Sequence, residues 1–382
     1  MKTIVVSGAI ANKHQHGGEA WVRLSWARGF RDLGFRVILL EQISPQNCVD
    51  ADGRPAPPAA SANVAYFRNI AADFGFADSC ALITDEGQTL VGLRPDALFD
   101  LACDSALLVN ISGHLRHAPL FTRFPAKAYI DIDPGFTQFW HASGLAGHDA
   151  FFTIGENIGN PDCPIPTNGL PWRPTRQPVL LTDWPLTPPP TPHRFTTIAS
   201  WRGPFGPVEF AGQTYGLKVH EFRKFLALPK FATHHFEVAL NIHPADQKDR
   251  AALLQNNWHL ADPLTAAGDP QRFAHYVQNS SAEFSVAQGV YVNTACGWFS
   301  DRSVRYLASG KPVLVQDTGF TRHLPTGHGL LAFTTLEQAR AGADDIVHNY
   351  PAHAAAARQL AEDYFDSRRV LPQLLGDLGI TP

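Results

Sequence analysis

The chain has 382 residues, of which 45% are hydrophobic and 17% are charged, and its formal net charge at pH 7 is -4. This composition supplies enough apolar material for packed cores and excludes a largely disordered protein, and the length suggests two or three domains. The weakly acidic balance, with no long basic run, makes nucleic acid an unexpected partner.

Cysteine usage and apolar runs bear on the compartment. The chain has 5 cysteines and none forms a CxxC pair, which disfavours a disulfide framework and a zinc knuckle and is typical of reduced thiols in a cytoplasmic protein. The segment Met1–Gly8 turns polar too soon for a signal peptide. No apolar run approaches the roughly 20 residues of a membrane-spanning helix, so no transmembrane segment is expected.

The first half of the chain predicts alternating strands and helices. Thr3–Ile10 is expected to be a strand, a loop with Gly17 and Gly18 follows, and Glu19–Leu33 has apolar residues at helical spacing. Phe35–Leu40 is a continuous apolar strand, as in a parallel sheet covered on both faces. This β-loop-α-β unit indicates a doubly wound α/β domain. Further strands are predicted at Ala106–Ile111, Ala128–Ile132 and Phe151–Ile154.

A proline-rich stretch, Trp184–Pro192, divides the chain. Because proline fixes φ and removes a backbone donor, this stretch cannot be a helix or an inner strand. We interpret it as an interdomain spacer, and the alternative is a surface loop within one domain. The predicted division is an N-terminal domain at 1–184, a linker at 185–192, a C-terminal domain at 193–362 and closing helices at 363–382, which are expected to pack back on the first domain.

The second half repeats the pattern. The predicted strands are Phe195–Ser200, Phe236–Ile242, Ala282–Val286 and Pro312–Gln316. The predicted helices are Lys218–Leu228, Arg250–Asn256, Gln271–Asn279, Asp301–Ser309, Ala352–Tyr364 and Val370–Leu378. Ligands of open α/β sheets lie beyond the carboxyl ends of the strands, so two such domains can each hold one substrate across a shared cleft. That arrangement suits group transfer, because closure excludes water.

Residues 297–331 are the most informative segment. Ser300 or Asp301 is expected to cap a short helix that ends at Gly310, and the N–H groups and dipole at its N-terminus favour an anion such as a diphosphate. The run Ala308-Ser309-Gly310-Lys311-Pro312-Val313, with Gly319 and Gly329-Leu330-Leu331, resembles the donor segment of the group-1 (GT4-like) glycosyltransferase family, and Tyr364–Val370 resembles the closing helix of that family.

The resemblance implies the GT-B fold, in which two Rossmann-like doubly wound α/β domains face each other across a cleft. It also implies transfer of a sugar from a nucleotide diphosphate sugar to an acceptor, with no metal and no other cofactor. The donor-binding residues that it implies are Gly17, Gly18, Arg202, Lys218, Trp298, Phe299, Ser300, Asp301, Arg302 and Arg305. The ordinary alternatives are a tight turn for the glycines and solvated surface cations for Arg202 and Lys218.

The sequence departs from the family at its paired donor-binding glutamates. Arg305 stands where the family places the glutamate that binds the donor ribose, and Gly297 replaces the partner eight residues earlier. Arginine cannot accept hydrogen bonds from hydroxyls, although it can bind a phosphate or pair with a carboxylate. Asp301 is therefore the alternative counterpart.

Candidate acid/base residues lie in the first half. His16 belongs to the loop after the first strand, and Glu19 begins the predicted helix that follows it. His114 and Asp133 follow later strands whose carboxyl ends face the expected cleft. A histidine pKa near neutrality suits a general base, and Asp133 suits a base or a ligand of acceptor hydroxyls. Each has an ordinary alternative, an exposed loop histidine or a turn aspartate before proline. Metal binding by Asp131 with Asp133 is disfavoured.

The leading hypothesis is thus a glycosyltransferase of the hexosyltransferase type with a small-molecule or glycan acceptor, with inversion and retention both open. A nucleotide-sugar epimerase of the same fold is one alternative. A non-catalytic sugar- or nucleotide-binding protein of that fold is another.

Overall fold

The computed structural model of the protein describes residues 1–140, 144–203, 206–232 and 234–381. Its first sheet has the strand order β4-β3-β2-β1-β5-β6-β7-β8, in which only β4 runs antiparallel to its neighbour. The strands are β1 Thr3–Ser7, β2 Arg36–Ile43, β3 Cys80–Thr84, β4 Thr89–Gly92, β5 Leu107–Ile111, β6 Lys127–Asp131, β7 Ala150–Thr153 and β8 Trp172–Pro174. Strands β3, β5 and β7 are buried along their whole length, as expected for a sheet covered on both faces.

The helices of this domain are α1 Gly17–Asp32, α2 Ala62–Asp73, α3 Pro95–Asp104, α4 Ala118–Phe121 and α5 Phe136–Phe139. The first strand is shorter than the predicted Thr3–Ile10. The backbone N–H groups of Ile10, Ala11 and Asn12 turn away from the sheet and donate to the buried carboxylate of Glu41. A loop therefore leaves the sheet after Ser7 and leads to α1.

The second domain contains strands β9 Arg194–Ser200, β10 Val208–Phe210, β11 Gln213–Tyr215, β12 His235–Asn241, β13 His259–Ala261, β14 Ala282–Ser285, β15 Val313–Gln316 and β16 Leu330–Phe333. Strands β10 and β11 form a separate hairpin, and the others form a parallel sheet of order β13-β12-β9-β14-β15-β16. The parallel strands of the second sheet thus have the doubly wound order 3-2-1-4-5-6, counted within the domain, and those of the first sheet have the same order with β8 added as a seventh strand at the edge.

The helices of the second half are α6 Lys218–Phe222, α7 Leu228–Phe231, α8 Gln247–Gln255, α9 Pro263–Ala267, α10 Pro270–Gln278, α11 Gly289–Thr294, α12 Asp301–Ala308, α13 Leu336–His348, α14 Tyr350–Tyr364 and α15 Ser367–Asp377. The predicted caps of α12 are confirmed. The Ser300 hydroxyl accepts from the Arg302 N–H at 3.2 Å, and Gly310 follows the helix with a φ of +68°. None of the described helices is both long and apolar enough to cross a membrane.

The chain crosses between the domains along two neighbouring segments. Val179 and Asp366 form a parallel β-bridge, in which the Val179 N–H donates to the Phe365 carbonyl at 2.8 Å and the Ser367 N–H donates to the Val179 carbonyl at 2.9 Å. Beyond this bridge α15 packs against α1. The two helices approach so closely that a Cβ on Gly29 would lie 2.5 Å from the Leu371 side chain.

The proline segment is attached to the second domain. The Lys311 ammonium donates to the carbonyls of Thr187 at 2.7 Å and Pro188 at 3.1 Å. The Thr187 hydroxyl donates to the Gln278 carbonyl at 2.8 Å. The segment is therefore an extended strap on the surface of the second domain.

Candidate active site

Two contiguous cavities lie where the carboxyl ends of the two parallel sheets face each other. The N-side cavity has a volume of about 1090 Å³ and is lined largely by the loops after β1, β5 and β6 of the first domain. The C-side cavity has a volume of about 850 Å³ and is lined largely by the loops after β9, β12 and β13 of the second domain. Both are lined by His16, Glu19, Ser200, Gly203, Asn241, Ile242 and Gln288.

The N-terminus of α1 forms the wall between the domains. A Cβ on Gly17 would lie 2.0 Å from the Asp269 carbonyl oxygen, and one on Gly18 would lie 2.8 Å from the Phe273 ring. One turn later the Trp21 indole N–H donates to the Pro270 carbonyl at 2.8 Å. The two glycines therefore let α1 seat directly on α10. Gly18 and Phe273 also line the C-side cavity.

The loop before α1 is anchored by a residue that the sequence did not single out. The Glu41 carboxylate accepts from three consecutive backbone N–H groups, at 2.7 Å for Ile10 and 2.8 Å for both Ala11 and Asn12, and from the Asn12 side chain at 2.8 Å. Burial raises the pKa of Glu41, and these hydrogen bonds oppose that rise. The anchored loop carries His16 to the mouths of both cavities, where it is exposed and its Nδ1 contacts the His14 carbonyl at 2.9 Å.

Glu19 forms an ion pair with Arg23, one turn further along α1. Burial by itself would raise the pKa of Glu19, but Arg23 and Lys13 outweigh that effect and hold the pKa below its usual value. Glu19 is therefore an anion at neutral pH. It lines both cavities and places a negative charge near the residues that follow β6.

Asp131 and Asp133 have different positions although they are two residues apart. Asp131 ends β6 and is fully buried, and its carboxylate accepts from the hydroxyls of Thr137 and Thr153, both at 2.7 Å, and from the Gln138 amide at 2.8 Å. Asp133 lies beyond the strand and lines the N-side cavity. Burial, reinforced by the charges of Glu19 and Asp131, raises the pKa of Asp133 to about 7. Such a carboxyl group exchanges a proton near neutral pH.

His114 also lines the N-side cavity. Burial, together with the nearby positive charge of Arg23, lowers the pKa of its imidazole to about 3. The ring is therefore neutral at physiological pH and is suited to hydrogen bonding rather than to holding a proton. No group of three or more metal-ligating side chains occurs in the described ranges of the chain.

Lys218 begins α6 and lines the C-side cavity. Its ammonium donates to the Val286 carbonyl at 3.0 Å and has no ion-pair partner in the part of the chain that the structure describes. Burial, followed by the repulsion of Arg302, lowers the pKa of Lys218 to about 7. A buried cation that lacks a counter-ion and lines a cavity is suited to binding an anion there.

Arg302 and Asp301 occupy the first turn of α12 and line the C-side cavity. The Arg302 guanidinium is fixed by Glu283 at 2.6 Å, by the Ile198 carbonyl at 2.8 Å and by Ser285 at 2.6 Å. Its charge is thus held at the carboxyl ends of β9 and β14, the switch point of the second sheet.

Arg305 does not line either cavity. Its side chain is 1% exposed, and its guanidinium donates to the Asp301 carboxylate at 2.9 Å and contacts the Ser25 hydroxyl of the first domain at 3.5 Å. It also lies over the Trp184 ring, 6.0 Å from the ring centre. Arg305, which stands where the resembling family has a glutamate, therefore holds the Asp301 carboxylate from the buried side of α12.

Three other residues of the predicted donor segment have packing or capping roles. Trp298 stacks on Tyr291 with ring centres 4.4 Å apart, and Phe299 stacks on Phe365 at 5.3 Å. Ser300 caps α12. These side chains do not line the two cavities, so the geometry gives no support to direct contacts with a donor. They shape the site through the residues they hold.

Arg202 and Lys218 were both expected to bind the donor, but they line different cavities. Arg202 lines the N-side cavity and is paired with Asp246, with its Nε 3.0 Å from a carboxylate oxygen. Its half-exposed side chain remains accessible from the cleft. Of the two cations, Lys218 is the one placed beside the N-terminus of α12.

Several lining residues were missed by the sequence reasoning. Asn241 ends β12, and Gln288 accepts from the Lys218 N–H at 2.7 Å while lining both cavities. The segment Leu260–Asp262 lines the C-side cavity, whereas Trp258 lies in the core. Position at the end of a parallel strand was the available signal for Asn241. No local pattern marks Gln288.

No protein-family model matches the chain, and no curated protein matches it by sequence. Its fold matches solved structures over nearly the whole length of both partners. Anabaena HepE in complex with UDP and glucose has a TM-score of 0.61 at 12% identity and covers 99% of this chain and 100% of its own.

Two further structures show the same likeness. An alpha-glucosyltransferase in complex with UDP and a 13-mer DNA containing a HMU base has a TM-score of 0.61 at 10% identity, with 99% of each chain covered. Sucrose-phosphate synthase from Thermosynechococcus elongatus has a TM-score of 0.55 at 12% identity, with 99% of this chain and 98% of that chain covered. The predicted fold, two Rossmann-like domains facing across a cleft as in GT-B glycosyltransferases, is confirmed.

Proposed function

We propose that this protein is a glycosyltransferase that moves a sugar from a nucleotide diphosphate sugar in the C-side cavity to an acceptor hydroxyl in the N-side cavity. The observation that carries the proposal is that one continuous cleft has a group suited to binding an anion, Lys218, in one cavity and a group suited to accepting a proton, Asp133, in the other. A buried lysine that makes no ion pair with any described residue lines one cavity, and a carboxyl group with a pKa of about 7 lines the other. The structural neighbours that contain UDP in a GT-B fold support the same conclusion.

The diphosphate is proposed to lie against Lys218 and the N-terminus of α12. Lys218 supplies charge, Arg302 adds a fixed guanidinium, and the N-terminus of α12, whose residues Asp301 and Arg302 line the same cavity, adds the positive end of its dipole. Negative charge grows on the diphosphate as the sugar leaves, and positive groups already in place stabilise that charge without reorganisation.

The nucleoside is proposed to occupy the remainder of the C-side cavity. Leu260, Pro263 and Phe273 give this region an apolar lining suited to a flat base. Asp301 supplies a carboxylate that can accept hydrogen bonds from ribose hydroxyls. Arg305 would then act through Asp301, as a positioning residue.

Asp133 is proposed to serve the acceptor. The acceptor oxygen bonds to the anomeric carbon, the bond from that carbon to the diphosphate oxygen breaks, and its electron pair leaves with the nucleotide diphosphate. The hydroxyl proton passes to the Asp133 carboxylate and then to solvent. His16 and Glu19, which line both cavities, are proposed to orient the two substrates at the point of transfer.

We propose a hexose as the donor sugar and a small molecule or glycan as the acceptor. The alpha-glucosyltransferase complex contains DNA, so a nucleic acid carrying hydroxylated bases is included as a test acceptor. All five cysteines are free thiols, which supports a reducing compartment such as the cytoplasm.

A ligand panel followed by a turnover assay tests the proposal. Thermal shifts with UDP, GDP and ADP and their hexose conjugates should identify one nucleotide that stabilises the protein by mass action. The Lys218→Gln variant should lose most of that shift. Nucleotide release that depends on an added acceptor supports transfer. A new isomer of the nucleotide sugar formed without acceptor would instead support an epimerase, and absence of any nucleotide response would contradict the proposal.

A further inference from the structure

A tyrosine of the second domain reaches the candidate base of the first. Tyr291 lies on α11, and its hydroxyl is 3.5 Å from the Oδ1 atom of Asp133. Both residues line the N-side cavity. The contact joins two side chains 158 positions apart in the sequence and exists only because the domains face each other.

The Tyr291 ring is held in place by aromatic neighbours. Trp298 stacks on it with ring centres 4.4 Å apart, and Phe136 of the first domain meets it edge-on at 6.0 Å. The residue is 4% exposed. Because its ring cannot swing away, its hydroxyl remains directed toward Asp133, and a buried hydroxyl requires a hydrogen-bond partner.

We propose that Tyr291 is a positioning residue for Asp133, whose hydroxyl donates to the ionised carboxylate and aims it at the acceptor when the domains close. This inference rests on the proposed function. The separation of 3.5 Å is long, as is common for catalytic hydrogen bonds without substrate, and it shortens in the closed complex. A base whose partner comes from the donor domain is thereby completed only when donor and acceptor sites are brought together.

The donor domain offers a direct connection to this contact. Gln288 immediately precedes α11, lines both cavities and accepts from the backbone N–H of Lys218 at 2.7 Å. A diphosphate bound beside Lys218 therefore lies next to the segment from which Tyr291 projects. The segment from Gln288 to Tyr291 therefore contacts both the proposed donor site and Asp133.

The charges around Asp133 set the sign of the expected effect. Glu19 and Asp131 face it with negative charge, Arg23 and Lys13 face it with positive charge, and Tyr129 and Tyr291 present hydroxyls. Burial, followed by the charge of Asp133, raises the pKa of Tyr291, so its hydroxyl keeps its proton throughout the working range. Removing a donor to the charged carboxylate makes ionisation of Asp133 harder and raises its pKa.

The test compares Tyr291→Phe with Tyr215→Phe. Tyr215 belongs to the same apolar cluster and is 3% exposed, but its hydroxyl contacts Gln213 at 3.4 Å. Turnover of the nucleotide sugar would be followed from pH 5.5 to 9.5. We expect Tyr291→Phe to move the acid limb upward by about 0.5–1 pH unit and to lower kcat about threefold to tenfold. The KM of the donor should change less than about twofold, since a positioning residue acts on the chemical step.

The control should keep the wild-type acid limb. An unchanged limb in Tyr291→Phe, or an equal shift in Tyr215→Phe, would overturn the inference while leaving the transferase function intact. Absence of nucleotide-sugar turnover by the wild type would instead contradict the proposed function.

The contact between Tyr291 and Asp133 can also be tested without turnover, by NMR. The carboxyl carbon of Asp133, assigned by its absence in Asp133→Asn, is titrated by ¹³C NMR in the UDP-bound protein. An equal titration midpoint in wild type and Tyr291→Phe would refute the contact, and a higher midpoint in Tyr291→Phe would establish it.

Discussion

The Arg305 guanidinium donates to the Asp301 carboxylate at 2.9 Å, across one turn of α12. The Arg305 side chain is 1% exposed and also contacts the first domain, whereas that of Asp301 is 29% exposed and lines the C-side cavity. The buried Arg305 guanidinium thus holds the Asp301 carboxylate at the cavity surface. A carboxylate thus lines the C-side cavity although arginine stands where the resembling family has its glutamate.

Replacing Asp301 should weaken recognition of the ribose. We expect Asp301→Asn to reduce the affinity for the preferred nucleotide diphosphate by about fivefold to thirtyfold, the loss of a hydrogen bond to a charged group. The same variant should bind the 2′,3′-dideoxy nucleotide as the wild type does, because the hydroxyls that Asp301 contacts are then missing. Calorimetric titrations of both ligands against both proteins measure the coupling. Glu337→Gln, in the first turn of α13, is the matched control and should show no change.

Lys218 should favour ligand binding at the expense of stability. We expect Lys218→Gln to lower affinity for the nucleotide diphosphate about tenfold to a hundredfold and to leave affinity for the free nucleoside unchanged. The ligand-free variant should melt at a higher temperature, because it lacks a buried cation that makes no ion pair with any described residue. The pKa of Lys218 falls from its ordinary value to about 7 on folding, so this gain should shrink as the pH approaches 10.5. A gain that persists unchanged at that pH would argue against burial of the charge.

Binding of the diphosphate should be linked to proton uptake. Because the pKa of Lys218 is about 7, the amine is largely neutral at pH 8.5 in the free protein and must become an ammonium beside the ligand. Affinity should therefore decline as the pH rises above 7. Calorimetry at pH 8.5 in two buffers of different ionisation enthalpy should show uptake approaching one proton, and Lys218→Gln should abolish it. Equal apparent enthalpies for the wild type would count against the assignment.

Neutralising Glu19 should shift the pH profile downward. The negative charge of Glu19 is, after burial, the largest effect that raises the pKa of Asp133. Its removal by Glu19→Gln also leaves Arg23 without its ion-pair partner, which favours the ionised form of Asp133 further. The acid limb of kcat should move to lower pH by about 0.5–1 unit. Glu237→Gln removes another glutamate that is paired with an arginine, Arg194, outside the cleft, and its limb should stay in place.

The seat of α1 on α10 should not accept a side chain at Gly17. A Cβ there would lie 2.0 Å from the backbone oxygen of Asp269, and backbone cannot rotate away. We expect Gly17→Ala to lower the free energy of unfolding by about 1–3 kcal/mol and to raise the KM of the donor, because the wall of the C-side cavity moves. The control is Gly376→Ala inside α15, where nothing lies within 4 Å of the new Cβ. That variant should be stabilised by about 0.5–1 kcal/mol.

Periodicity and the closing segments were sufficient to predict the fold. Continuous apolar strands such as Phe35–Leu40 predicted a parallel sheet covered on both faces. Ser300 and Gly310 predicted the two ends of α12, because serine and glycine are favoured at helix caps. Strands β3 and β4 and helices α2 and α3 were not predicted. Part of β4 is only half buried, and it pairs antiparallel at a sheet edge, where neither alternation nor a long apolar run is imposed.

The candidate site was predictable where chemistry follows directly from a strand end, as for Asp133 and His114. It was not predictable where contacts join distant segments. The role of Glu41 depends on three N–H groups about thirty positions away, and that of Tyr291 on a carboxylate in the other domain. Arg305 was expected to bind a phosphate or to pair with a carboxylate, and only the helix geometry shows Asp301 as its partner. Sequence order alone does not contain these distances.

The bridge between Val179 and Asp366 places both interdomain crossings side by side. The strap that follows the first crossing is fastened to the second domain by Lys311, and the helix that follows the second crossing is fastened to the first domain through Leu371. The bridged strip is therefore the place where the backbone passes between the two domains, and the seat of α1 on α10 is a second contact between them. A pair of spectroscopic labels placed beside Val179, where the two crossings are joined, should change its separation less during turnover than a pair that spans the mouths of the cleft.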